Sequence, residues 1–280
     1  MCSTYLATLN CDERDNKITF EEGPHIYTVN GERNTYISAT TFVHSHFPSF
    51  DAKKVIEKMR ANKRNNWNDP NYTYYNKTDE EIMEMWSNKA KVSSEAGTKM
   101  HFDIECYYNQ MAIENESVEY NYFKEFEKMR QTEMPELVPY RTEWMVWNED
   151  CKICGSIDMV FQNKKDGTLQ IFDWKRIQKL EYENVVHEHA TTDCIRHLSH
   201  TNFWHYAIQL NLYRYILQSK YNKTVTHLYL VCLHPDNPYK SYELVQLPIL
   251  EIEISNLIER RKNQLLGLLE DDNSSHSTHH

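Results

Sequence analysis

The chain reads as an α/β protein with a central mixed β-sheet flanked by helices and a mostly helical N-terminal lobe. Three observations carry that reading. Helical periodicity dominates most of the first 134 residues, strand-like stretches follow at 137–147, 153–162 and 168–174, and a helix over 202–219 leads to further strands. Strands separated only by Glu149-Asp150 and Asp166-Gly167 form an antiparallel meander, and strands that return after a helix make the sheet mixed.

Taken in order, HIYTVNGERNTYIS is a hairpin in which Asn30-Gly31 supplies a turn favouring positive φ. Asp51 is placed to cap a helix over 51–63 whose apolar face carries Val55, Ile56 and Met59. Residues 65–78 are polar and aromatic and read as a loop, and helices over 79–92, 94–109 and 117–133 complete the lobe. Beyond the meander come strands over 225–233 and 241–247 and a last helix over 250–269. The expected organisation is a lobe over 1–134, a core over 135–270 and a disordered polar tail over 271–280, with lobe and core as one structural unit. The tail histidines His276, His279 and His280 belong to that polar end and not to a metal site.

The composition, 40% hydrophobic and 26% charged, is ordinary for a soluble globular chain. No apolar run approaches the ~20 residues that cross a bilayer, and the N-terminus has no basic-then-apolar leader, so no membrane partner is expected. Seven cysteines, an odd number, fit a reducing intracellular compartment such as cytoplasm or nucleus, including that of a virus-infected cell, better than a disulfide framework. The formal charge of −10 argues against a protein that coats nucleic acid through bulk charge. It leaves open an enzyme that grips nucleic acid locally.

The chemistry concentrates on the meander. In Gln170-Ile-Phe-Asp173-Trp-Lys175 the two-residue period of a strand puts Asp173 and Lys175 on one face. The preceding strand offers Asp158 within Gly155-Ser-Ile-Asp158, and the one before it offers Glu143. Carboxylates crowded in this way repel one another unless a cation sits among them, and hard oxygen ligands suit Mg²⁺ or Mn²⁺. On a helix, Gly97, His101 and Glu105 share a face at four-residue spacing, as do Gln209 and Tyr213 on a later one. Gly97 inside a helix is expected to admit the close approach of another backbone.

The ordered set G-x3-H-x3-E, E, G-x-x-D, D-W-K and Q-x3-Y resembles the PD-(D/E)XK nuclease superfamily, and within it the RecB-like exonuclease branch that includes mitochondrial genome-maintenance and viral exonucleases. The likeness runs over about 36–213. It implies a restriction-endonuclease-like core and a metal-dependent DNA exonuclease that uses two Mg²⁺ or Mn²⁺ ions. It implies metal ligation by His101, Asp158, Asp173 and the Trp174 carbonyl, with Lys175 as the catalytic lysine. Gln209 and Tyr213 would position the site or the strand, Glu143 matches the acid preceding the core motif, and Glu105 would assist His101 without binding metal. Some members carry a four-cysteine iron–sulfur cluster; Cys151-x-x-Cys154 with only Cys194 and Cys232 in the C-terminal third does not match, so no cluster is expected.

Residues 51–64 carry Lys53, Lys54, Lys58, Arg60, Lys63 and Arg64 against Asp51 and Glu57, a net +4 followed by Trp67, Tyr72, Tyr74 and Tyr75. Cations for phosphates and rings for unpaired bases suit a single strand; a solvated helix face and a packed aromatic loop is the competing reading. Ser38, Thr40 and Thr41 are either phosphate contacts or helix-capping hydroxyls. The stretch over 187–200, with His187, His189, Cys194, His197 and His200, is expected to be a flap beside the site, with zinc binding less favoured. DNA is favoured over RNA. An endonuclease, on DNA or of the RNA-cleaving cap-snatching kind, and a decayed binding module are the alternatives.

Overall fold

The computed structural model describes residues 4–62, 65–114, 116–184 and 187–269. Lys63, Arg64 and the tail over 271–280 therefore lie outside the described residues. In chain order the elements are α1 (Tyr5–Leu9), β1 (Ile18–Glu21), β2 (Ile26–Val29), β3 (Glu32–Arg33), β4 (Ile37–Ser38), α2 (Ala39–His44), α3 (Ala52–Ala61), α4 (Asp79–Tyr108), α5 (Val118–Glu133), β5 (Leu137–Asn148), β6 (Ile153–Asn163), β7 (Leu169–Lys175), α6 (Asn202–Lys220), β8 (Val225–Cys232), β9 (Glu243–Gln246) and α7 (Glu251–Leu265). The α/β class with a central mixed sheet flanked by helices is thus observed.

Two expectations about the N-terminal part change. The helices anticipated over 79–92 and 94–109 are one helix, α4, which runs unbroken through Val92-Ser93-Ser94. It starts at a reciprocal cap in which Glu81 N donates to Thr78 Oγ1 and Thr78 N to Glu81 Oε2. The N-terminal part is also less helical than expected: β1, β2 and β3 form a small antiparallel sheet, and β4 joins the main one. The Asn30-Gly31 turn forms as read, with φ of 51° and 80°, and Asp51 caps α3 by accepting from Lys54 N.

The chain groups into two compact units, Met1–Pro48 with Met100–His280, and Ser49–Lys99. These divide the chain at other places than residue 134, and one division falls inside α4.

In the larger unit the main sheet runs β4-β6-β7-β8-β9, with β5 on the other edge of β6. β5, β6 and β7 form the meander, β7 and β8 are parallel, and β4 lies parallel to β6 at Ile37–Ser38. Strand β6 therefore shares one edge between two partners, β7 beside Met159–Gln162 and β4 beside Ile153–Cys154. Apolar clusters cover both faces. Met100, Ile104 and Tyr108 of α4 and Phe123 and Phe126 of α5 pack with Phe172 and Trp174. Ile208, Leu212 and Ile216 of α6, with Leu257 of α7, pack with Leu169 and Ile171.

Phe172 anchors the middle of β7, with ring centroids 4.9 Å from Phe161, 4.7 Å from Tyr229 and 5.8 Å from Phe126. Phe172→Ala is expected to destabilise the fold by about 3–5 kcal/mol through lost burial and a cavity. Urea unfolding should show this as a lower midpoint at unchanged slope.

Candidate active site

Strand register assembles the acids. In β5 and β6 the pairs Thr142↔Met159 and Trp144↔Ile157 leave Glu143 opposite Asp158. In β6 and β7 the ladder ends at Met159↔Phe172, which leaves Asp158 opposite Asp173. Directly opposed residues on antiparallel strands share a face, so the three carboxylates form one row across three strands, with Lys175 one step along β7.

The row sits where the sheet opens. Beyond Phe172 the two strands no longer pair through their backbones, and Trp174 N donates to Asp158 Oδ2 at 3.0 Å instead. A side-chain carboxylate thus stands in for the missing ladder bond. The far end of β7 is held on both sides: Leu233 N donates to Lys175 O at 2.8 Å, and Arg176 Nε pairs with the buried Glu119 of α5 at 2.6 Å. Glu143 is turned by its own backbone, a mid-strand φ of +42° that a non-glycine residue adopts only under strain. Its Oε2 accepts from Ser156 Oγ at 2.9 Å.

His101 closes the cluster from α4. Its Nδ1 lies 3.5 Å from Asp158 Oδ2 and 3.7 Å from Glu143 Oε1. One donor atom from each of His101, Glu143 and Asp158 lies within 4.8 Å of the others, and this is the metal-type grouping among the described residues. Opposite ligands of a six-coordinate Mg²⁺ are about 4 Å apart, so an oxygen-rich set of this span fits such an ion. The charge state points the same way. Burial, then the neighbouring Asp158, push Asp173 up to about 7, against the lowering pull of Lys175. His101 rises to about 9: burial alone would lower it, but Asp158 and Glu143 outweigh burial. Protons thus take up negative charge that a cation would otherwise neutralise.

Asp173 itself, only 3% exposed, is committed to Lys175, whose Nζ lies 2.5 Å from Oδ2. Burial opposes the lysine's charge, yet Asp173 and Asp158 raise its pKa, so it stays protonated. Tyr206 of α6 places its ring 5.0 Å from that nitrogen. It was missed in the sequence, although it sits three residues before Gln209 and hence on the same helix face. Gln209 Nε2 donates to Thr40 Oγ1 at 2.8 Å and to the Tyr213 hydroxyl at 3.4 Å.

Tyr213 explains Gly155. A Cβ on Gly155 would lie 2.7 Å from the Tyr213 hydroxyl oxygen and 2.8 Å from a ring carbon, so β6 admits the ring only by lacking a side chain there. Gly97 has no such role, since a Cβ there meets nothing within 4 Å, contrary to the close approach expected of it.

Other expected residues fall elsewhere. Burial, then the neighbouring Glu143, raise the pKa of Glu105, whereas His101 pairs with Asp158 and Glu143. Ser38 caps α2 by accepting from Thr41 N. Cys151 and Cys154 are buried in different apolar clusters, where burial raises their thiols to about 11 and about 12. In the 187–200 stretch, His197 lies 3.2 Å from Glu253 and His200 lies 3.6 Å from Glu188, and no metal-type grouping forms there among the described residues.

Within the unit Ser49–Lys99 the aromatics pack on one another. Trp67 lies 5.1 Å from Tyr72, Tyr72 lies 5.6 Å from Tyr74, and Trp86 Nε1 donates to the Tyr74 hydroxyl at 2.9 Å. Arg60 covers Trp67 at 4.4 Å and pairs with Asp79. Trp67, Tyr72 and Tyr74 are thus half-buried against one another and Arg60 stays exposed beside them, as do Lys53, Lys54 and Lys58, with Lys54 beside Asp51 at 3.4 Å.

No family model matches the chain, and no curated protein sequence matches it. Among solved structures, a protein from Eubacterium rectale that carries a provisional exonuclease name is similar at a TM-score of 0.37 and 11% identity, over 85% of this chain and 82% of that one. A likeness that distant assigns nothing, and the geometry of the site has to carry its reading.

Two measurements test this geometry. Gly155→Ala should destabilise the protein by about 1–3 kcal/mol through overpacking against Tyr213. Tyr213→Ala in the same chain should recover part of that loss, a coupling that a double-mutant cycle of unfolding free energies reads directly. The second test is pH. Asp173 moves from 3.8 to about 7 and His101 from 6.5 to about 9, so each binds its proton more tightly in the folded state. The stabilisation is full below 3.8 and 6.5 respectively, and is lost as pH rises through about 7 and about 9. Thermal melts in EDTA should therefore fall across those windows, Asp173→Asn should remove the lower one, and added Mg²⁺ should restore stability at the alkaline end. A rising slope would contradict the crowding of charge.

Proposed function

We propose that the protein is a Mg²⁺- or Mn²⁺-dependent nuclease that hydrolyses phosphodiester bonds in DNA, acting as an exonuclease on single-stranded or frayed ends in a reducing intracellular compartment. The observation that carries the nuclease reading is the carboxylate row Glu143, Asp158 and Asp173 at the open fork of the sheet, with His101 above it and half-buried Lys175 at its end. The order of the motifs and their resemblance to RecB-like exonucleases support the choice of DNA and of exonucleolytic attack.

His101, Glu143 and Asp158 would hold one cation, and Asp173 with the Trp174 carbonyl are the candidates for a second. When bound, such ions supply Lewis-acid stabilisation of the phosphoryl oxygens and lower the pKa of water. The chain's own residues do the rest. Lys175, held protonated by its acidic neighbours, donates hydrogen bonds to the attacking water or to the charge that develops on the phosphate oxygens. Asp173 fixes the direction of that ammonium, and the bond from Trp174 N fixes the carboxylate of Asp158. Gln209, tied to Thr40 and Tyr213, orients the strand on the α6 side. The exposed Lys53 and Lys54 of the smaller unit are candidate phosphate contacts.

The test uses end-labelled single-stranded DNA, double-stranded DNA and RNA with Mg²⁺, Mn²⁺ or EDTA. Shortening of single-stranded DNA with either metal and none in EDTA is expected. Lys175→Ala and Asp158→Asn should each slow cleavage by at least ~10²-fold with an unchanged circular-dichroism spectrum. Wild-type rates in either variant would remove its assigned role, and cutting of a closed circular strand would replace the exonuclease by an endonuclease.

A further inference from the structure

On the α6 side of the site lies a cavity of about 110 Å³ whose lining includes Thr40, Val43, His44, His205, Tyr206 and Gln209. It has room for more than a single water. The proposed chemistry uses Gln209 and Thr40 of this lining but not its three rings, His44, His205 and Tyr206. His205 lies 5.4 Å from His44 and 4.2 Å from Phe47, and stacks on His200 at 5.1 Å with an interplanar angle of 20°. In the segment between His44 and Phe47, His46 Nδ1 and Thr192 Oγ1 are 2.8 Å apart and Thr191 N donates to the His46 carbonyl. His205 Nε2 is buried and has no hydrogen-bond partner among the described residues.

The electrical character of this wall decides which part of a nucleotide suits it. Burial, then the neighbouring imidazoles, lower His205 to about 4, and burial with His200 lowers His44 as well. At neutral pH the rings are uncharged, so they offer a phosphate no cation. They do offer flat faces, and rings stack bases of any sequence. Gln209 and Thr40 also line the cavity, and the Gln209 Oε1 and the Thr40 hydroxyl can pair with a base edge. The cavity is also coupled to the chemistry by two of its own walls. Tyr206 lies 5.0 Å from Lys175 Nζ, and Gln209 donates to Tyr213, which packs on Gly155.

We infer that this cavity receives one nucleobase of the substrate strand, beside the bond to be cut, with His205 and Tyr206 as stacking rings and Gln209 contacting the base edge. The inference rests on the nuclease reading. It gives the site a means of fixing the strand's register through a base while the carboxylate row handles the phosphate.

The test uses the full chain with single-stranded oligodeoxynucleotides that carry 2-aminopurine at successive positions, in Ca²⁺ so that the strand is held without rapid cutting. Fluorescence reports stacking of the probe, and anisotropy reports binding. At one position the fluorescence should fall severalfold on binding. His205→Ala should abolish that fall, and His205→Phe, which keeps a ring, should preserve it. In the wild-type protein an abasic site at the same position should weaken binding about tenfold, the loss of one stacked base, which keeps the test independent of any folding defect in the variants. If the strand binds and is cleaved in Mg²⁺ yet no position is quenched, the base pocket is overturned and the nuclease reading stands. If the strand is neither bound nor cleaved, the nuclease reading fails and the pocket fails with it.

Discussion

Everything at the site depends on where β6 and β7 stop pairing. Up to Met159 and Phe172 the two strands share an ordinary antiparallel ladder; beyond that point the Trp174 amide bonds to the Asp158 carboxylate. A continuous ladder would seal the sheet and bury both acids against backbone. The fork instead leaves the acids facing each other, while β4 occupies the same edge of β6 further along and keeps that strand anchored. Apolar packing holds the fork from both faces, with Phe172 and Trp174 under α4 and α5 and Leu169 and Ile171 under α6. Each helix layer then contributes to the site, His101 from one and Tyr206, Gln209 and Tyr213 from the other.

Such a cluster is stable only because its charges are interlocked. Asp173 is buried and would be costly as an isolated anion, but Lys175 lies against it. His101 leans on Asp158 and Glu143, and Glu143 in turn takes a hydrogen bond from Ser156. The cluster sets three carboxylates against one ammonium and an imidazole, an excess of acid over base that suits a cation.

Much of this was legible in the sequence because it is local. The alternation of Gln170-Ile-Phe-Asp173-Trp-Lys175 gave both the strand and its polar face, and the short breaks between strands gave the meander whose register aligns the acids. His101, Gln209 and Tyr213 were found through helical spacing. What escaped depends on contacts between distant segments. β4 is two residues long and exists because β6 has a free edge there. The glycine of Gly-x-x-Asp makes room for Tyr213, 58 positions later, a relation that no local pattern contains. Arg60, Trp67 and Tyr74 adjoin in sequence as the cations and rings of a binding strip would, and in the structure they contact one another while keeping exposed surface.

The left-handed backbone of Glu143 has a consequence for how this protein can change. Only glycine, and to a lesser degree asparagine or aspartate, occupies φ near +42° with little strain. A glutamate there carries strain on the order of 1–3 kcal/mol, which is offset only by the placement of its carboxylate. Replacement by glycine would relax the strand and relieve charge repulsion while emptying one corner of the cluster. Backbone strain and the carboxylate corner therefore pull residue 143 in opposite directions, so a chain in which that corner had no role would gain stability by changing first at this position.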